Sequence, residues 1–216
     1  MIEIIPSLLD FSAQQFLTHI RGLKNSVSMI QIDIADGVFV PNTTWADPKV
    51  IQKELRIDCE LHLMVANPLK ELARWQKVER VKRILVHIEA MKNPADVLPT
   101  LHAYGWEIGF VLNPQTPLAA VVPYLSEIKE VMFMGVVPGK QGQPFVPDTY
   151  ERIRTFKAMG TPHLVAVDGA VNSQTLPGLI AAGADIVCPG SAIFGNERTP
   201  AENVQRLREL IQRLTS

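Results

Sequence analysis

Short apolar runs rich in β-branched residues alternate along the chain with longer stretches whose apolar positions recur every three or four residues. The short runs, at 3–6, 29–34, 57–63, 83–87, 107–112, 130–136, 163–167 and 185–188, predict strands. The longer ones, at 12–23, 48–55, 68–77, 94–104, 117–125, 147–159, 173–182 and 200–214, predict helices. Several of these open on Pro or follow Asp, Asn or Ser, as first-turn residues do. Strands apolar on both faces and separated by helices imply a parallel sheet covered on its outside. Eight such units in 216 residues predict one domain, residues 1–216, of the α/β class folded as a single (β/α)8 TIM barrel. An open, doubly wound sheet is the structural alternative.

Composition adds exclusions. With 47% hydrophobic residues the chain can bury a sizeable core. Its 21 basic and 22 acidic residues are scattered, so neither a nucleic-acid partner nor a membrane surface is expected. Cys59 and Cys188 sit in apolar strand-like stretches without CxxC spacing and read as reduced, buried thiols. The opening MIEIIPSLLDF lacks a basic segment and a cleavage site, and no apolar run approaches the ~18 residues of a membrane span. A soluble, cytoplasmic protein is the expectation.

In a barrel of this kind function gathers where strands run into the following loops. Those positions are polar here: Ser7, the run Gln31-Ile32-Asp33, Glu60-Leu61-His62-Leu63-Met64, His87, Met134-Gly135 and Asp168-Gly169. Gln31 and Asp33 lie two apart and share a face, as do Glu60, His62 and Met64. Buried charge is costly unless paired or metal-bound. Asp33, His62 and Asp168, at three strand ends, therefore suggest a metal site or an acid–base pair rather than three unrelated caps or surface pairs. His87 reads as a lining residue more than a catalytic one, and His19, His102 and His163 as surface or structural residues.

Two glycine-bearing loops carry a second signal. Asp168-Gly169-Ala170-Val171-Asn172 follows the seventh strand and Pro189-Gly190-Ser191-Ala192 the eighth. Glycine lets backbone approach an anion, helix N-termini offer N–H groups, and this pair of loops is a recurring phosphate site in barrels. The loop after the sixth strand, Val137-Pro138-Gly139-Lys140-Gln141-Gly142-Gln143, has the composition of either a lid or an ordinary surface turn.

These residues resemble the ribulose-phosphate 3-epimerase family over essentially the whole length. The resemblance rests on Ile5-Pro6-Ser7-Leu8-Leu9, Asp33-Ile34-Ala35-Asp36-Gly37-Val38-Phe39-Val40-Pro41-Asn42, His62-Leu63-Met64, Val111-Leu112-Asn113-Pro114, Val137-Pro138-Gly139, Val167-Asp168-Gly169 and Gly190-Ser191-Ala192-Ile193-Phe194. It implies a ribulose-phosphate-binding barrel that interconverts D-ribulose 5-phosphate and D-xylulose 5-phosphate. Asp33 and Asp168 would be the acid–base pair, because inversion removes a proton from one face of a carbon and returns one to the other. A divalent metal (zinc, iron, manganese or cobalt) would stabilise the enediolate, with Asp33, His62 and Asp168 as ligands. His62, Ser7, Met64 and Met134 would contact the sugar, Gly139, Lys140, Gln141 and Gly142 form the lid, and Gly169, Ala170, Gly190 and Ser191 cradle the phosphate. A homo-oligomer is also expected.

The site departs from the family pattern. Gln31 stands where a histidine ligand is usual; its carbonyl can serve as a fourth ligand to a hard cation, but a neutral amide is a poor match for zinc, so the metal is expected to be weakly bound or absent. Ala35 replaces a methionine, Val137 an asparagine and Ala170 a glycine, while Lys140 and Gln141 rewrite the lid. Three alternatives follow: an allulose 6-phosphate 3-epimerase, a sugar-phosphate binding protein without activity, and a lyase like a ketogulonate-phosphate decarboxylase. The Asp-x-Lys-x-x-Asp pattern of such lyases is absent from the sequence.

Overall fold

The first predicted strand, 3–6, is observed as Glu3–Ile4, and a second short strand, Ser7–Leu8, follows Pro6; together the two close the sheet on itself. In the computed structural model, which describes residues 2–138 and 143–215, β1 (Glu3–Ile4) pairs with β9 (Ile186–Cys188). Three residues on, β2 (Ser7–Leu8) pairs with β3 (Met29–Ala35). Proline has no N–H to give a ladder. The backbone spans the break with Ile5 N–H donating to Val187 O (3.0 Å), Ser7 N–H to Pro189 O (3.2 Å) and Gln31 N–H to Pro6 O (2.9 Å). Between β3 and β9 run β4 (Asp58–Met64), β5 (Val81–His87), β6 (Glu107–Leu112), β7 (Glu130–Met134) and β8 (Leu164–Asp168), each parallel to its neighbours. The result is a closed parallel (β/α)8 barrel; the open-sheet alternative is excluded.

The outer layer holds α1 (Ala13–Leu23), α2 (Pro48–Glu54), α3 (Pro68–Leu72), α4 (Pro94–Ala103), α5 (Asp148–Ala158), α6 (Leu176–Ala182), α7 (Ser191–Phe194) and α8 (Pro200–Thr215). Side-chain oxygens of Ser12, Asp47, Asn67 and Asn93 accept from the first-turn N–H groups of α1 to α4, the role their position predicts. Two predicted helices are corrected. Residues 117–125 form two 3-10 segments, Leu118–Ala120 and Val122–Glu127, because Pro123 cannot donate within an α-helix. The 68–77 helix stops at Leu72; tighter bonds, from Arg74 N–H to Glu71 O and Trp75 N–H to Leu72 O, then turn the fully buried Trp75 into the core.

Two apolar layers result. The larger lies between sheet and helices; a smaller one, including Ile5, Leu85, Val111, Met132, Ala166 and Ile186, fills the barrel. The barrel interior also pairs Glu60, which strand parity placed on the face of His62, with two charged partners that the sequence pattern did not reveal. Arg83 Nη1 lies 2.8 Å from Glu60 Oε2 and 2.7 Å from Glu130 Oε2, with its Nε 3.1 Å from Glu107 Oε2. Glu60 and Glu130 are wholly buried. Burial and the proximity of Glu130 push the Glu60 carboxyl well above its ordinary range. Burial likewise raises Glu130 to about 7, against the pull of Arg83. One guanidinium between two buried carboxyls keeps the trio in place below the mouth.

Candidate active site

Because every strand is parallel, all the C-terminal ends open at one mouth. The register sets Asp33 beside His62, Gln31 beside Glu60, and Met134 beside Asp168. The inward face therefore collects Ser7, Asp33, His62 and Asp168 from four strands. Ser7 Oγ donates to Asp33 Oδ2 at 2.8 Å. His62 Nδ1 lies 3.0 Å from Asp33 Oδ1 and 3.2 Å from Asp168 Oδ2. Thr44 fixes the end of β3, donating to Asp33 O (2.7 Å) and accepting from Ala35 N–H (2.9 Å).

Burial alone would push the His62 imidazole down, but hydrogen bonds to Asp168 and Asp33 outweigh it and carry the pKa up to about 10. Asp33 moves up from the ordinary carboxyl range, first through burial and then through the charge of Asp168. On its far side His62 Nε2 is 2.9 Å from Nε2 of His87, and the rings stack at 5.1 Å. Burial holds His87 down to about 4. It is the neutral partner, accepting from His62 while its Nδ1 faces Glu89 Oε2 at 3.4 Å. His87 thus orients His62, a role its strand-end position only hinted at.

Asp36 ties two loops above this cluster. Its Oδ1 accepts from Val38 and Phe39 N–H, each at 2.9 Å, and its Oδ2 from Ala66 N–H at 2.7 Å. Those bonds set the Phe39 ring 4.9 Å from His87.

One pocket opens over the carboxylates. Of the predicted contact residues, Ser7, Asp33, Met64, Met134, Asp168, Gly169, Ala170, Gly190 and Ser191 all line it. Leu9, Val136, Gln143 and Cys188 join them without having been singled out as contacts in the sequence. His62 and Gln31 are fully buried beneath the carboxylates. Gly139, Lys140, Gln141 and Gly142 lie outside the described residues. On one rim Gly169 (φ 97°) and Ala170 (φ 53°) take successive left-handed conformations. A side chain at Gly169 would meet Val136 Cγ2 at 2.6 Å, so only glycine fits. Ala170 is held there by its carbonyl, which accepts from Asn172 Nδ2 (3.0 Å) and Thr175 Oγ1 (2.8 Å). Gly190 precedes α7 on the adjoining rim.

Asp33, His62 and Asp168 each offer a ligand atom, all within 4.8 Å of one another, a spacing a metal ion could use. The fourth group does not fit that role in its present orientation. Gln31 presents Nε2 rather than its carbonyl oxygen, donating to Asp33 Oδ1 (2.8 Å) and Asp168 Oδ2 (2.9 Å). An amide N–H is a donor only and cannot ligate a cation. As the side chain stands, Gln31 offers donors to the two carboxylates and no ligand atom to a metal.

The fold and its mouth define a (β/α)8-barrel enzyme. Comparison narrows this further. The pattern of the Ribulose-phosphate 3 epimerase family matches residues 3–194. The chain is 33% identical over 216 residues to the ribulose-phosphate 3-epimerase of Methanocaldococcus jannaschii, covering 97% of this chain and 91% of that one. It is 30% identical to the Bacillus subtilis protein of the same name, covering 90% and 93%. The chain belongs to the ribulose-phosphate 3-epimerase family, a family of isomerases. Among solved structures, a KGPDC from Streptococcus mutans matches all of the chain and 99% of its own length, with TM-score 0.74 and 14% identity. A tryptophan synthase α-subunit from Pyrococcus furiosus matches 97% of this chain and 98% of its own, with TM-score 0.71 and 18% identity. These two share the fold. Among the described residues no helix is long and apolar enough to cross a membrane, and Cys59 and Cys188 are free and buried.

Proposed function

We propose that this protein is a ketose-phosphate 3-epimerase that interconverts D-ribulose 5-phosphate and D-xylulose 5-phosphate, with Asp33 and Asp168 as its two acid–base groups. One observation carries the reading: carboxylates from β3 and β8 line a single pocket and meet over a common imidazole. Epimerisation next to a carbonyl removes the C3 proton to give an enediolate and returns a proton to the opposite face. One carboxylate takes the first proton and the other supplies the second; the roles exchange in the reverse direction. A raised Asp33 suits a group that must hold a proton in one direction and accept it in the other. The buried imidazolium of His62 keeps positive charge against both carboxylates, and Ser7 fixes the remaining oxygen of Asp33. Met64 and Met134 supply an apolar wall for the sugar.

The phosphate is assigned to the rim of Gly169, Ala170, Gly190 and Ser191. These four residues line one side of the pocket, Gly169 and Ala170 with left-handed backbone and Gly190 and Ser191 at the start of α7, and none of them carries a carboxylate. Two free thiols agree with work in the reducing cytoplasm.

The test is turnover. Purified protein should convert D-ribulose 5-phosphate to D-xylulose 5-phosphate and leave unphosphorylated D-ribulose nearly untouched. Phosphate-dependent binding without inversion at C3 would instead identify a sugar-phosphate binding protein.

A further inference from the structure

The Gln31 side chain lies on the same inward face as Asp33, two residues before it, and reaches across the barrel to β8. Its Nε2 sits 2.8 Å from Asp33 Oδ1, 2.9 Å from Asp168 Oδ2 and 3.3 Å from His62 Nδ1. Those are the three side chains that offer a metal its ligands. A primary amide has two N–H groups, and here each has its own carboxylate. Nothing on that nitrogen is left for a cation, and both of its hydrogen bonds go to carboxylates that would have to hold one.

We propose that Gln31 takes the structural place of a divalent cation, its amide N–H groups bridging Asp33 and Asp168 so that the epimerase works without a metal. Two carboxylates buried this close repel each other unless something positive lies between them. The His62 imidazolium touches the same two oxygens from one side, and the N–H pair adds a second positive end that bridges them from inside the fold. Turning the amide over would bring Oε1, an acceptor, against two anionic acceptors and would break both bonds. The present orientation has its own cost, since Oε1 is buried with no partner among the described residues. Two charge-assisted bonds against one orphan acceptor favour the nitrogen inward. Gln31 is fully buried beneath the pocket and does not line it, so it acts as a positioning residue through the carboxylates.

The activity arm of the test rests on the epimerase reading; the metal arm does not. Protein dialysed against EDTA is analysed for metal content, titrated with Co2+ while its visible absorption is followed, and assayed with D-ribulose 5-phosphate with and without EDTA. The wild type should hold far less than one equivalent of metal, develop no Co2+ ligand-field band and turn over equally with and without EDTA. Gln31→His should acquire the band near one equivalent and become sensitive to EDTA. Gln31→Met, similar in length but without N–H donors, should lose at least tenfold in kcat with little change in KM. If either variant fails to fold, the wild-type measurements decide alone. A stoichiometric metal in the wild type whose removal abolishes turnover, or a Co2+ band in the wild type, would overturn the proposal. Protein that never epimerises but also refuses Co2+ would refute the epimerase reading while upholding the amide in the metal's place.

Discussion

His62 and His87 share a single hydrogen bond between their Nε2 atoms, 2.9 Å long, inside the barrel mouth. One ring must donate and the other accept. The surroundings decide which: His62 faces two carboxylates with its other nitrogen, whereas His87 has only the longer approach to Glu89.

This arrangement sets a pH signature. With a folded pKa of about 10, His62 stays doubly protonated through neutral pH. Its stabilising contribution is complete below the unfolded value of 6.5 and is lost as pH rises through 10. His87, held near 4, stays neutral over the same range. Nitrogen-15 NMR of the imidazoles should show one buried ring titrating near 10 and another near 4. A common midpoint around 6.5 for both rings would contradict the assignment.

The Glu60–Arg83–Glu130 trio predicts a second pH dependence. Glu130 titrates at about 7 in the fold, against 4.5 as its ordinary value. Between those values the native state holds a proton the unfolded chain has released, so this group's contribution to stability falls as pH rises from 4.5 to 7. Glu130→Gln should flatten that decline and gain on the order of 1–3 kcal/mol above pH 7. Arg83→Met, which strands two buried carboxyls, should cost about 3–5 kcal/mol. Urea denaturation across pH 5–8 checks both, and an unchanged slope in Glu130→Gln would assign the pH dependence elsewhere.

Ala170 occupies a left-handed conformation at φ 53°. A Cβ there costs roughly 1–2 kcal/mol, and glycine escapes it. After allowing for glycine's freer unfolded chain, Ala170→Gly should stabilise by about 1 kcal/mol, read as a raised denaturation midpoint. Gly169→Ala should do the reverse, because its new Cβ meets Val136.

The strands were legible because β-branched runs bounded by turn residues have few other readings, and the helix starts because Ser12, Asp47, Asn67 and Asn93 announce them. Pro123 was the missed signal in 117–125; apolar spacing there suited an α-helix, but the missing N–H decided otherwise. Strand parity put Gln31, Asp33 and His62 on one face. It could not say which amide atom of Gln31 turns inward, since that depends on Asp168, 137 residues away. Strand parity placed Glu60 on the inward face with His62, but local pattern could not find its partners Arg83 and Glu130, which come from two other strands.

The central claim is that Asp33 and Asp168 serve opposite faces of C3. Running the reaction in D2O and following C3 by NMR tests it most directly. Wild-type protein should release D-xylulose 5-phosphate carrying solvent deuterium at C3. Asp33→Asn and Asp168→Asn should each lose inversion by roughly a hundredfold or more, the scale of a general acid–base group, while either one retains exchange from the face its surviving carboxylate serves. Inversion at the wild-type rate in either variant would contradict the account.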